Sequence, residues 1–455
     1  MAERIPGIIV RVVDDTGIIP PPVFQRYPIY IGCGDPYRQV DDVKIVRSSG
    51  SVDDIPALTT INDIVSVGDL PGISKYVEST DYYLMAGSNQ IAWQPGGSKP
   101  TLGDTYYITY TESRAASAYQ ATLYFDENLV YEDHGGTTRT NGTLNHLTQA
   151  ARLGFDNGAK GLMVLQLDDR NFTDPYSPTN AELETAFLAA VTELELITDY
   201  KLLLVGLSSG TLLTTTAANI LFSHAVVASQ PENKQERSVL MAMPAGTTFT
   251  QYAATAQTYA HERMCVPAIP SSLQMTGFTG TYDNRFYNAG LAGKLCSTPI
   301  GVTICDEIIS GVTFTDNFTV NTLNFLVQNG VSPAKSQGGV VRNVMAITTD
   351  TTSALTEDMG VQDIKDYVKK YWREGLWAVY KNKPITADLP SQMNGSSINM
   401  LNKLIEDKVI TDYRRISTRQ DGTEPRKLKV SGQIKPIFCT TWVDVTFTFV
   451  LSFAA

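Results

Sequence analysis

The chain has 455 residues, 43% of them hydrophobic and 18% charged, with a formal net charge of −11. That length exceeds what one core organises and predicts several domains, while the acidity argues against general nucleic-acid binding. No apolar run has the length of a membrane span, and the opening MAERIPG has no signal-peptide core, so the chain is expected in a cytoplasm or released from one by lysis.

The five cysteines are scattered, odd in number and never in a CxxC pair, which argues against a disulfide frame or a zinc site. Charge is uneven. Leu355 to Ala455 holds fifteen Lys/Arg and twelve Asp/Glu, against twenty-one and thirty-five in the rest. A mildly basic end on an acidic body is either scatter between domains or a two-sided protein with different partners.

In chain order, residues 1–25 read as an N-terminal arm. IPGIIVRVVD is a β-branched run carrying Ile8, Ile9, Val10 and Val12, and Pro20 to Pro22 favour an extended polyproline segment that holds it away from the rest of the chain. Residues 26–113 are β-rich and predict a small β-sandwich or barrel. PIYIGCGDP is an apolar strand closed by Gly and Pro. Thr80 to Thr111 reads as three strands parted by turns at Gly87-Ser88-Asn89 and Pro95-Gly96-Gly97.

Residues 114–354 alternate helix and strand. LNHLTQAARLGF has helical spacing at Leu144, Leu147, Ala151 and Phe155, and AELETAFLAAVTELELI is a helix entered from Thr179 or Asn180. GLMVLQL, KLLLVGL, SVLMAMP and RMCVPAIP are continuous apolar strands. Such strands alternating with helices indicate an α/β domain with a mostly parallel sheet covered on both faces.

Residues 355–439 form a third unit. A helix presents Val361, Ile364, Val368, Trp372, Leu376 and Val379 on one stripe, with Lys365, Lys369, Lys370 and Arg373 off it. A second helix carries Ile398, Leu401, Leu404 and Ile405, and the strand KLKVSGQIKPI comes after it. The last segment, 440–455, alternates Val443, Val445, Phe447, Phe449, Leu451 and Phe453 against Trp442, Asp444, Thr446, Thr448 and Ser452. That is a half-buried strand placed where a chain ordinarily frays. Both ends are therefore strands in need of a sheet edge.

One enzyme-like pattern stands out. GLSSG, Gly206 to Gly210, fits G-x-S-x-G between a strand and a helix, with Ser208 as nucleophile, His261 as base and Glu232 or Glu236 as its orienter. A parallel sheet needs small residues at such turns anyway, so the turn is the default reading. GLAGKLCS lacks the P-loop spacing, no G-x-G-x-x-G follows a strand, and the four histidines have no metal-ligand spacing. Asp168 and Asp169 read as a solvated loop. The expectation is no catalytic residue, no cofactor and no metal.

The order of partial matches resembles the tail sheath proteins of contractile phage tails. IPGIIV is similar to their Pro-Gly-Val-type opening, and Thr80 to Thr111 to their small β-sandwich. FYNAGLAGKLCSTPIGVTICDEIISGV is similar to their Ala/Gly-rich helix and the segment after it. LNFLVQNGVSPAKSQGGVVRNVMAITT, GVQDIKDYVKKYWREGLWAVY and LIEDKVITDY resemble later family stretches. The resemblance implies a subtilisin-like central domain without proteolysis and a C-terminal α+β domain whose sheet is completed by terminal arms of other subunits. It further implies a helical homopolymer of six-fold rings around a tail tube protein, meeting baseplate and tail terminator proteins, with no direct contact to nucleic acid or membrane. The location implied is a virion tail assembled in a host cytoplasm, and Lys365, Lys369, Lys370 and Arg373 become candidates for facing the tube. The alternatives are a serine hydrolase using GLSSG and a self-assembling tube that never contracts.

Overall fold

The computed structural model describes residues 25–48, 50–198, 201–207, 215–230, 233–271 and 273–439. Its centre is a nine-stranded sheet in the order Cys305–Ile308, Val340–Met345, Val331–Gln337, Met264–Ala268, Arg237–Leu240, Lys201–Gly206, Arg26–Gly32, Leu162–Gln166, Thr122–Tyr124. The six strands from Val331–Gln337 to Leu162–Gln166 run parallel, and antiparallel strands close both edges.

The strand Arg26–Gly32 corrects the sequence-derived boundary. Sequence places it in the β-rich module of 26–113, yet it lies inside the parallel sheet. Six of its seven residues are buried, the mark of a strand covered on both faces; the β-rich module begins at Tyr37.

Each face of the sheet carries its own core. Helices His146–Asp156 and Arg285–Ser297 cover one face over Tyr30, Val164 and Val205. Asn180–Glu195, Thr215–Ala228 and Phe249–Tyr259 cover the other over Ile29, Ile31 and Leu204. Thr179 opens its helix in a capping box with Glu182, and Thr248 does so with Gln251. The first two helices cross closely because Gly154 meets Gly293: a Cβ on Gly293 would lie 2.4 Å from the Gly154 carbonyl oxygen. The Ala/Gly-rich stretch is thus a packing surface.

The β-rich module is two three-stranded sheets. One is Tyr37–Val46, Thr105–Ser113, Ile61–Gly68; the other is Val52–Asp54, Gln90–Trp93, Tyr82–Leu84. They face each other across Tyr76, Tyr82, Trp93 and Tyr106. Inside, the Asp53 carboxylate accepts from Arg47, Trp93 Nε1 and the Tyr106 hydroxyl. Arg114 holds the module to the sheet, donating to the carbonyls of Asp35 and Tyr37 on the way out and to those of Glu132 and Asp133 at a helix C-terminus.

The last unit comprises helix Met359–Tyr380, helix Leu389–Glu406 and the hairpin Ile410–Gln420/Leu428–Pro436 around its own apolar cluster. Among the described residues, no helix is long and apolar enough to cross a membrane.

Candidate assembly surface

Helix Met359–Tyr380 is amphipathic, yet both of its sides are buried. The apolar stripe behaves as its spacing predicts. Ile364, Val368 and Leu376 sit in the C-terminal cluster, with Trp372 packed against it.

The other side lies across the amino ends of the parallel strands. Three neighbouring strands open on a cation, Arg26, Lys201 and Arg237, and Arg263 immediately precedes the fourth, Met264–Ala268. The helix meets Arg26, Lys201 and Arg263 with Asp363 and Asp366, one turn apart. Arg26 and Lys201 both bind Asp363. Lys201 also lies 2.7 Å from Asp366, and Arg263 grips Asp366 with both guanidinium nitrogens at 2.5 and 2.7 Å. Asp366 is fully buried, Arg263 and Lys201 nearly so.

Burial alone would raise the Asp366 carboxyl, but Lys201 and Arg263 outweigh it and hold it well below the usual carboxylate range. Burial likewise pulls Lys201 down, and Asp363 with Asp366 reverses the sign. The cluster is therefore a charged clamp fastening the last unit to the sheet. Arg26 also donates to the Thr298 carbonyl, so the clamp fixes the point from which residues 1–24 leave. Periodicity does not reveal it; a cation at the start of successive apolar strands is the available signal.

The structure places the four basic candidates differently from the expectation of an open tube-facing surface. Lys365 binds Glu262, Arg373 reaches Glu236 at 3.2 Å, and Lys370 is buried, 3.6 Å from Glu374. Lys369 faces solvent. Three of the four are engaged by carboxylates of the same chain: Lys365 and Arg373 by the central domain, and Lys370 by its own helix four residues on.

The hairpin Ile410–Gln420/Leu428–Pro436 forms a small sheet of its own. Its two strands pair only with each other among the described residues. Its inner face, Tyr413, Ile416, Leu428, Val430 and Ile434, packs against the C-terminal cluster. Among the described residues, both outer edges thus keep a row of backbone donors and acceptors without a strand partner. The C-terminal segment leaves beside this hairpin, where Ile437 N–H donates to the Val409 carbonyl and Cys439 Sγ lies 3.0 Å from the Gly301 carbonyl. The arm residues themselves, Ile8, Ile9, Val10, Val12, Val443, Val445, Phe447, Phe449, Leu451 and Phe453, lie outside the described residues.

Ser208 and Glu232 also lie outside them. His261 Nδ1 accepts from the Arg263 backbone N–H at 3.0 Å, and Glu236 is held by Arg373; no hydrogen bond joins His261 to Glu236 among the described residues. Asp169 is not the solvated loop residue expected. It is buried, accepts from the Tyr119 hydroxyl at 2.7 Å, and burial pushes it up to about 6. Among the described residues, no three His, Cys, Asp or Glu gather as a metal site.

A family model described as a domain of unknown function, DUF4815, matches residues 38–148. No curated protein matches the sequence. Solved structures similar to the chain include three sheath proteins. The helical sheath of the anti-feeding prophage in the contracted state has a TM-score of 0.53 and 12% identity, covering 73% of this chain and 89% of that one. The contracted sheath complex of the extracellular contractile injection system PVC has a TM-score of 0.54 and 11% identity, covering 73% and 87%. The sheath tail protein Lin1278 from Listeria innocua has a TM-score of 0.51 and 10% identity, covering 94% and 96%. At these identities the likeness is one of fold: the chain has the fold of contractile tail sheath proteins.

Proposed function

We propose that this chain is the structural subunit of a contractile tail sheath, with no catalytic role. It polymerises as six-fold rings in a helix around a tail tube, meets baseplate and terminator proteins at the ends, and contracts by repacking its subunits to drive the tube through an envelope. On this reading the central sheet is the subtilisin-like core of such subunits, and 1–25 and 440–455 are arms. The virion tail is the place of action, assembled in a host cytoplasm.

The observation that carries the reading is the two-stranded hairpin whose outer edges have no strand partner among the described residues, in a chain whose two terminal segments are patterned as strands. The hairpin packs its inner face on the helices of its own unit, which leaves its edges, and not its face, to be completed. Strands lent by neighbouring copies would satisfy both edges and bury one face of each arm. The six apolar side chains from Val443 to Phe453 yield roughly 1.5–3 kcal/mol each on full burial, against about 1–2 kcal/mol per residue for ordering the backbone. The net per arm is modest, so the lattice is held by repetition and covalent arms keep neighbours joined as they slide.

The test is electron microscopy of the full-length chain beside a version ending at Thr440. Long hollow tubes from the first and none from the second support strand exchange. Equal tubes from both, or none from either, refute it.

A further inference from the structure

The basic character read in the last domain resides in the hairpin. Ile410 to Pro436 holds seven Lys/Arg against three Asp/Glu in a chain of net charge −11. The inner face is apolar, so the cations populate the outer face and the turn. Arg414 and Arg426 are 78% and 91% exposed. Arg419 stands directly opposite Lys429 across the ladder, a like-charge pair that weakens a hairpin left on its own. Lys429 reaches Asp421 at 2.8 Å, whereas Arg415, Arg419, Lys427 and Lys435 have no carboxylate within ion-pair distance among the described residues. An exposed sheet face that concentrates like charge in this way is complementary to an acidic surface.

The same chain presents one. Asp126 to Asp133 holds four carboxylates and no Lys or Arg. Asp126 caps helix Glu127–His134, in which only Val130 and His134 are buried. Leu129 on the helix and Phe125 just before it are 48% and 64% exposed. Asp156 of the next helix adds a fifth carboxylate, answered by Arg152 at 3.8 Å. Burial, and then Asp156, raise the Glu127 carboxyl, so the carboxylates stand close enough to repel one another. The helix is about 12 Å long, comparable to the reach of Arg419, Lys429 and the turn cations Arg426 and Lys427 at the far end of the hairpin.

We propose that the outer face of the hairpin of one copy docks on the acidic helix Glu127–His134 of a second copy. The contact deepens the sheath reading and rests on it. Whereas the arms would tie neighbours by strand pairing at one another's sheet edges, this contact is between folded bodies and sets their spacing through charge.

The test uses the full chain and two readouts: salt-dependent self-association by sedimentation, and tubes by electron microscopy. Arg419→Glu with Lys429→Glu should raise the concentration needed for association about tenfold at low salt, since exposed ion pairs are replaced by repulsion. Glu127→Lys with Glu132→Lys should do the same. Arg419, Lys429 and Glu132 are exposed and Glu127 is half-buried, and circular dichroism verifies that each variant is folded. A chain carrying all four restores opposite charge between the swapped positions and should associate more tightly than either paired variant. Unchanged association in either paired variant overturns the contact, and so does failure of the fourfold variant to recover. Loss of bound nucleic acid from the hairpin variant with association unchanged overturns it in favour of a nucleic-acid surface. Reversal-sensitive association without tubes leaves the contact standing and removes the sheath reading; tubes with reversal-insensitive association do the opposite. No salt-sensitive association overturns the contact whatever the tubes show.

Discussion

Asp366→Ala is the most demanding single test of the charged clamp. The carboxylate is fully buried and serves two cations at once, Arg263 through both nitrogens and Lys201 at 2.7 Å. Lys201 keeps Asp363, but Arg263 is left as a buried guanidinium without the carboxylate it grips. Removing one partner of a buried pair costs about 3–5 kcal/mol, which multiplies the undocked population by a hundred- to several-thousand-fold, at roughly tenfold per 1.4 kcal/mol. Hydrogen exchange along Met359–Tyr380 reads this population directly, and protection of its central amides should fall by that factor while the sandwich stays unchanged.

Asp366→Asn keeps the shape and should cost nearly as much, since charge is what it removes. Replacing Arg263 and Asp366 together by Met and Leu should cost far less, because that pair is removed whole. The sign with pH comes from the depressed Asp366 value. The stabilisation is present above the ordinary carboxylate range and is lost only as pH falls through the lowered folded value. The parent should therefore show an acid step in helix protection that Asp366→Ala lacks. A change under tenfold in Asp366→Ala would refute the clamp and make the cluster incidental to docking.

The other outcomes are simpler. His134 is buried between the Tyr124 hydroxyl and Gln166 Oε1, and burial lowers its pKa from 6.5 to about 4. The unfolded chain therefore takes up this proton first, and stability should fall by about 3 kcal/mol as pH drops from 6.5 to 4; His134→Gln should flatten that slope of the urea midpoint. Gly293→Ala drives a methyl to 2.4 Å from a backbone oxygen and should cost about 1–3 kcal/mol, read as a lower thermal midpoint. Gly395→Ala, inside Leu389–Glu406 with nothing within 4 Å, should stabilise by about 0.5–1 kcal/mol, and a loss there would contradict the helix.

Much of the fold is legible because its signals are local. GLMVLQL and KLLLVGL are unbroken apolar runs and form neighbours of a central strand. Thr179 is followed by Glu182 at capping-box spacing, and it caps. The stripe from Ile364 to Leu376 points into a core. Arg26–Gly32 is misplaced by sequence because a strand's sheet is a matter of topology. PIYIGCGDP is followed by a β-rich stretch, and nothing between Pro28 and Pro36 records that the chain leaves the sheet at Asp35 and returns after Arg114.

The charged side chains are harder for the same reason. Lys365, Lys370 and Arg373 lie off the apolar stripe, and helical spacing alone assigns such residues to solvent. Lys365 and Arg373 instead meet Glu262 and Glu236 because the helix is covered twice, and Lys370 is buried beside Glu374 of its own helix. Asp363 and Asp366 show why no pattern within the helix could have said so. Their partners Arg26, Lys201 and Arg263 are scattered over more than two hundred residues and become one cluster only through the strand order. The hairpin is the opposite case. With only two strands and one face already packed, alternation puts Arg419 and Lys429 on the open side without any knowledge of distant chain. Charge in this protein is readable from sequence where the local sheet has a free face, and unreadable where a second layer closes over it.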